Sequence, residues 1–367
     1  MNMTVKATVL DRQYKQYEQE YKHAAIQALE SGCYILGSRC EAFEQEFASY
    51  IGSRYCVGLN SGQDALTLAL RALGIKEGDE VIVPANTYIA TILAITENGA
   101  APVLVEPDEY YNLDSSQIEE AITEKTKAIM AVHLYGQAAN MKAIQDIAGK
   151  HRLYLLEDCA QSHGAAFEGR MTGTFGDIGC FSFYPTKNLG AFGDAGAVVT
   201  DNEALAEKMR MLRNYGSRRK YYNEIEGVNS RLDEIQAALL SVKLSHIGEL
   251  TQERIQVGRY YEANIKNPLL MKPGIREGAD HVYHQYVLRC GERDRLQDYL
   301  SGQGIQTQIH YPVPPHLAEC YAYLGYREGD LPVTERYAKE VLSLPLYTGI
   351  TKEEQDYVIE KLNEFTV

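Results

Sequence analysis

The 367-residue sequence contains no tryptophan and no paired thiols. Its seven cysteines stand singly at 33, 40, 56, 159, 180, 290 and 320, an odd number without a C-x-x-C. That pattern excludes a disulfide framework and a zinc knuckle, and reduced thiols suit a cytoplasmic protein. No run approaches the ~18 apolar residues of a membrane span. The first residues, MNMTVKATVLDRQYKQYEQ, carry no apolar signal core. Basic residues are in deficit, 36 against 50 acidic, and the net charge of −14 argues against nucleic acid or an anionic membrane as partner. Neither G-x-G-x-x-G nor G-x-x-x-x-G-K-[ST] occurs, so dinucleotide and P-loop chemistry lack their fingerprints.

The remainder is ordinary globular composition, long enough for two domains. Residues 13–31 and 41–49 read as helices, the first with Tyr14, Tyr17, Tyr21 and Ala24 on one face. Ser61–Leu73 reads as an apolar helix. Short apolar runs then recur at 80–84, 101–105, 128–134, 153–156, 178–184 and 196–200, with amphipathic stretches between several of them. Continuous apolar strands alternating with helices predict an α/β fold whose mostly parallel sheet is covered on both faces. Helices over 201–212 and 232–264, a strand at 284–289, and helices at 294–303 and 352–363 suggest a smaller α+β unit. The expected division is 1–245 for the large domain with its N-terminal helices and 246–367 for the small one.

In such sheets ligands bind beyond the carboxyl ends of strands, so the residues there carry the chemistry. Ser61-Gly62-Gln63-Asp64 opens a helix, where free N–H groups favour an anion. Taken alone, this motif is better read as a plain N-cap by Ser61. Tyr88 follows the strand ending at Pro84 and can stack on a flat ring. Asp158 ends the run LYLLED and needs a cation or good hydrogen bonds if buried. Lys187 sits in FSFYPTKNLGAFGDAGAVV, at a strand mouth and followed by three glycines. Anion cradle, ring stacker, acid for a ring nitrogen and amine together make the set that holds pyridoxal phosphate. The histidines at 281, 284, 310 and 316 lack carboxylates or thiolates at metal-ligand spacing, and no metal site is expected.

SGQDAL, GDEVIVPANTYIAT, AIMAVHLYGQ, EDCAQSHGA, FGDIGCFSFYPTKNLGAFGD, RNYGS, GVNSRLDEIQAA and HYP-x-P-x-H occur in that order. This series resembles the pyridoxal-phosphate nucleotide-sugar aminotransferases of the DegT/DnrJ/EryC1/StrS family, over nearly the whole chain. The resemblance implies an aspartate-aminotransferase-type fold and a homodimer with shared active sites. It implies Lys187 as the Schiff-base lysine, Asp158 at the pyridine nitrogen and Gln161 near the ring hydroxyl. Gly62, Gln63 and Ser182 would contact phosphate, Tyr88 would stack, and Asn229 would reach the neighbouring subunit's phosphate. It further implies L-glutamate as amino donor and a nucleotide-linked keto-deoxysugar, dTDP-linked, as acceptor. Three positions depart from the pattern: Gln63 replaces a small hydroxyl residue, Ala195 a glycine, and Glu106 an aspartate. Glu106 and NTYIAT resemble the 3-keto branch more than the 4-keto branch.

At the substrate end, Arg218-Arg219-Lys220-Tyr221-Tyr222 is a cationic, aromatic cluster suited to a nucleotide diphosphate. As a charge run it could equally be a solvated loop. His163, Tyr184, His310 and Tyr311 are the further lining expected. Sugar dehydratases of the same fold carry histidine at the lysine position, where this chain has Lys187, and a sugar-responsive regulator would need a basic face that is missing.

Overall fold

A computed structural model describes residues 3–366. Seven strands form the central sheet: β1 (Tyr55–Leu59), β2 (Glu80–Pro84), β3 (Ala101–Val105), β4 (Thr126–Val132), β5 (Tyr154–Asp158), β6 (Ile178–Ser182) and β7 (Gly196–Thr200). Their order is β1-β7-β6-β5-β4-β2-β3. β2 through β6 pair in parallel, whereas β7 runs antiparallel to both β6 and β1. All strands but β7 therefore point their carboxyl ends at one edge, and Leu59, Pro84, Val132, Asp158 and Ser182 end there together. β1 is the strand that periodicity missed, because YCVGL is short and follows the helix Ser38–Ile51 after only three residues, with Gly52 at φ 83° the one turn signal between them.

The strands are buried almost throughout, as sheets covered on both faces must be. The helix Gly62–Leu73 packs over the sheet through Ala65, Leu66, Leu68, Ala69 and Leu70. Ser61 caps it by accepting from the Asp64 N–H at 3.1 Å, and Gly74 ends it at φ 84°. A second core joins the helices Ile247–Asn264, Arg293–Gly302 and Lys352–Glu364 to a two-stranded ribbon, Tyr286–Arg289 with Val341–Leu344. Val5 packs into this same core from the other end of the chain.

Two readings need correction, and a third position gains a structural partner. The helix expected over 13–31 is two helices, Leu10–Gln16 and Glu18–Glu30, broken at Tyr17, whose ring stacks 3.8 Å from that of His246. The helix expected over 232–264 breaks at His246 into Glu234–Ser245 and Ile247–Asn264. Glu106 lies beneath the helix Pro332–Glu340, where it accepts from the N–H groups of Val333 (2.7 Å) and Thr334 (2.9 Å) and from the Thr334 hydroxyl. Glu106 thus caps that helix from beneath. Among the described residues no helix is long and apolar enough to cross a membrane.

Candidate active site

The carboxyl edge of the sheet opens into a cavity of about 470 Å³. Gly62, Gln63, Tyr88, Asp158, Gln161, Ser182, Tyr184, Lys187, His310 and Tyr311 all line it. These residues span 250 positions of sequence and converge because the strands of the sheet end together.

Asp158 forms the floor. β5 is flanked by β4 and β6, so the carboxylate sits among backbone and apolar neighbours and is almost wholly buried. Burial raises its pKa, opposed by the Ala160 N–H (3.1 Å), the Thr91 hydroxyl (2.9 Å) and the charge of Lys187. Thr91 is in turn 2.7 Å from the hydroxyl of Thr87. Strand alternation sends the preceding residue, Glu157, to the opposite face. There it accepts from Gly173, Phe175 and Gly176 and pairs with His133 at 3.0 Å, a purely internal network.

Lys187 enters from a tight turn. Its N–H donates to Tyr184 O at 2.8 Å, and Ala191 N–H closes the turn on Phe183 O at 2.7 Å. At Gly190 a Cβ would stand 2.3 Å from Pro185 O, so the turn requires glycine. The amine is half-buried, and desolvation pulls it down to about 8 against the raising effect of Asp158. An amine near neutrality can act as nucleophile and as proton carrier.

The remaining wall is a chain of contacts. Gln161 Oε1 accepts from Tyr135 N–H at 2.7 Å, and its Nε2 donates to the Tyr311 hydroxyl at 3.0 Å. The Tyr311 ring lies 5.1 Å from that of Tyr88, tilted by 36°. His310 is held by Ser343 (2.8 Å) and Gln285 (2.9 Å), and burial followed by the charge of Lys187 lowers its pKa to about 4, leaving it neutral.

The arrangement fits a planar ring bearing a phosphate and an aldehyde. At Gly62 a Cβ would come within 2.5 Å of Ser182 Cβ, so a side chain there would fill the cradle between the helix N-terminus and the end of β6. The N–H groups of the first helical turn and the Ser182 hydroxyl are the donor set a phosphate needs. Gln63 lines the cavity beside this cradle, and its side-chain amide donates to Glu97 at 3.4 Å.

Four expected residues lie elsewhere. His163 is wholly buried between Phe181 and Phe183, with neither ring nitrogen hydrogen-bonded. It lies under the floor of the cavity and not on its surface. Arg219 and Lys220 are exposed on the hairpin Ser217–Arg219/Tyr222–Asn223, with Arg219 over the Tyr222 ring at 4.8 Å and Lys220 over that of Tyr221 at 5.1 Å. Asn229 is exposed beside Asn214. Sequence reasoning missed Thr87, Thr91, Gln285 and Ser343. NTYIAT contains the two threonines, with Thr87 just ahead of the helix Ile89–Thr96 and Thr91 in its first turn.

The description of the DegT/DnrJ/EryC1/StrS aminotransferase family matches residues 15–363. The chain is 51% identical over 350 residues (95% of this chain, 96% of the relative) to the dTDP-3-amino-3,6-dideoxy-alpha-D-galactopyranose transaminase of Aneurinibacillus thermoaerophilus. Its fold superposes with a TM-score of 0.97 on S. venezuelae DesV solved in complex with a ketimine intermediate, at 46% identity and 98% coverage of both chains. With ntda of Bacillus subtilis, solved with bound cofactor PMP, the TM-score is 0.92 at 32% identity, covering 98% of this chain and 84% of that one. The chain belongs to the DegT/DnrJ/EryC1/StrS aminotransferase family, whose members depend on pyridoxal phosphate.

Proposed function

We propose that the protein moves an amino group from L-glutamate to the ketone of a dTDP-linked 3-keto-6-deoxyhexose, acting as a cytoplasmic homodimer. The observation that carries this reading is Lys187 and Asp158 lining one cavity beneath the phosphate cradle of Gly62 and Ser182. The relatives support the 3-position, since a 3-amino sugar appears in the name of the Aneurinibacillus enzyme. Aminating a 4-keto sugar is the alternative that the test below separates.

When bound, the cofactor supplies an electron sink for the carbon that loses or gains a proton. Asp158 would face the ring nitrogen and keep it protonated, a task for which a desolvated carboxylate held by Thr91 and Ala160 is suited. Gln161 would orient the ring hydroxyl, and Tyr88 would cover the ring and exclude water. Lys187 would hold the cofactor's aldehyde carbon, and its amine, drawn down toward neutrality, would serve as the base that carries a proton at the reacting carbon. Tyr184, His310 and Tyr311 line the acceptor side. Arg219, Lys220 and Asn229, all exposed in the single chain, would act across the dimer interface, the first two on the nucleotide diphosphate and the third on the second copy's phosphate.

The test is amination of a panel of 3-keto and 4-keto nucleotide sugars with L-glutamate, the product position being read by NMR. Amination at C3 is expected. Product at C4 would select the alternative, and transamination retained by Lys187→Ala would overturn the assignment.

A further inference from the structure

A second cavity, about 290 Å³, lies behind the Lys187 turn. It shares Tyr184, Thr186, Lys187, His284, Gln285 and His310 with the first cavity, so the two meet at the amine. Desolvation and the charge of Asp158 act on Lys187 Nζ, but among the described residues no group accepts a hydrogen bond from it. An ammonium carries three donors, and leaving them unmade away from water is costly. Most of the junction cannot supply the acceptor. Both ring nitrogens of His310 are engaged, by Gln285 and Ser343. Gln285 Oε1 is sealed from the cavity. Tyr184 and Thr186 are exposed. The residue left is His284, only 6% exposed.

His284 is held from several sides. Its Nδ1 lies 3.2 Å from Asn188 Oδ1, while Asn188 Nδ2 donates to Val282 O at 3.5 Å. An amide oxygen only accepts, so Nδ1 carries the proton and Nε2 keeps a bare lone pair. Among the described residues Nε2 has no donor, yet it is not sealed in as both nitrogens of His163 are. Burial, and next the charge of Lys187, lowers the pKa of His284 well below 6.5, so the lone pair stays available. The backbone is fixed too. Tyr283 sits at φ 46°, an unfavourable conformation for an aromatic residue that persists only where neighbours enforce it. Arg254, a buried guanidinium, donates to Tyr283 O (3.0 Å), His284 O (2.5 Å) and Leu346 O (3.3 Å). At Gly136 a Cβ would stand 2.6 Å from His284 N. Asn188 directly follows Lys187, so one residue ties the imidazole to the turn that carries the amine.

We propose that His284 is a positioning residue for Lys187: its Nε2 accepts a hydrogen bond from the Lys187 amine whenever that amine is free of the cofactor. The inference rests on the aminotransferase reading. A base that takes a proton at the reacting carbon has to stay beside it while charged. An acceptor fixed at the junction of the two cavities keeps the flexible lysine chain there. A neutral imidazole does so without taking the proton for itself.

Two substitutions in the holoenzyme separate this role from a structural one. His284→Asn keeps a donor for Asn188 but falls short of Lys187. His284→Gln reaches toward Lys187 with an oxygen and gives up Asn188. With L-glutamate alone, followed by the cofactor's visible absorbance, His284→Asn should slow the half reaction roughly 10- to 100-fold, the size of one hydrogen bond to a charged group. Half-saturation should change little, and His284→Gln should recover most of the rate. Equal losses in both variants, or the reverse order, would overturn the proposal and leave His284 a support for Asn188. A second measurement needs no substitution at 284 and no turnover. In nitrogen-15 NMR of the histidine-labelled, cofactor-free protein, the Nε2 resonance of His284, assigned through its backbone, should lie upfield of its position in cofactor-free Lys187→Ala. The same position in both proteins would equally overturn the contact. A wild-type protein that accepts an amino group from no amino acid would instead overturn the function proposed above and leave the NMR comparison standing.

Discussion

Thr91 donates its hydroxyl to Asp158 Oδ2 at 2.9 Å, and Thr87 stands 2.7 Å behind it. The pair holds a carboxylate whose pKa burial raises. Removing one hydrogen bond to a charged group costs about 1.5–3 kcal/mol, or roughly 10- to 100-fold in an equilibrium or rate. Thr91→Val should therefore raise the pKa of Asp158 further and lower turnover by that range. The acid limb of the pH–rate profile should move to higher pH, and Thr91→Ser should restore it. A profile that keeps its position would remove Thr91 from this role.

Asp158 is also a liability to the cofactor-free protein. Its folded pKa is raised, so the unfolded chain holds fewer protons between the usual carboxylate range and the raised value. Stability contributed by this group falls as pH climbs through that window. Asp158→Asn keeps the shape and removes the charge. The cofactor-free variant should melt at a higher temperature than wild type above the window, while turnover drops roughly 100- to 1000-fold. Calorimetry and a steady-state assay read the two effects separately.

The amine of Lys187, drawn down to about 8, sets the pH at which the protein takes up its cofactor. Only the unprotonated amine attacks an aldehyde. The rate of cofactor uptake by the stripped protein should rise with pH, reach half its maximum near 8, and level off above it. Stopped-flow absorbance measures it, and a midpoint near the ordinary lysine value of 10.5 would show an amine unaffected by its surroundings.

His163, expected from the sequence to touch substrate, should prove to be a stability residue. Burial, and next the charge of Lys187, lowers its pKa from 6.5 to about 3. Between those values the unfolded chain binds a proton that the folded one refuses, so stability is lost as pH falls through the window. His163→Leu should lessen that acid lability and leave KM for the sugar nucleotide within about twofold of wild type. A large rise in KM would return His163 to the binding surface.

The hairpin carrying Arg219 and Lys220 is exposed, and its side chains are held only by Tyr222 and Tyr221. If it meets a diphosphate across the dimer, Arg219→Ala with Lys220→Ala should raise KM for the nucleotide sugar about tenfold with little change in kcat. The effect should shrink as salt is added, because screening weakens the same interaction in wild type. An unchanged KM at low salt would leave the hairpin a solvated loop.

The sequence by itself determined the alternating architecture and the places where chemistry gathers. Asp158, Lys187 and Gly62 each follow an apolar run or open an apolar helix, and a parallel sheet brings such positions to one edge whatever the details. Tertiary structure alone decided direction and partnership. His163 lies two residues beyond Gln161 in one short loop, yet Gln161 faces the cavity and His163 the core. Glu106 shows in the sequence only as a departure from a motif, and its partners come from the helix starting at Pro332, more than 200 residues on. Arg254 is buried only because the helix that carries it packs against Tyr283, His284 and Leu346, whose carbonyls accept from its guanidinium. The reason is physical: periodicity records which face of an element avoids water, whereas a side chain's neighbours come from residues distant in sequence. Those neighbours decide whether a polar group is satisfied, strained or poised to react.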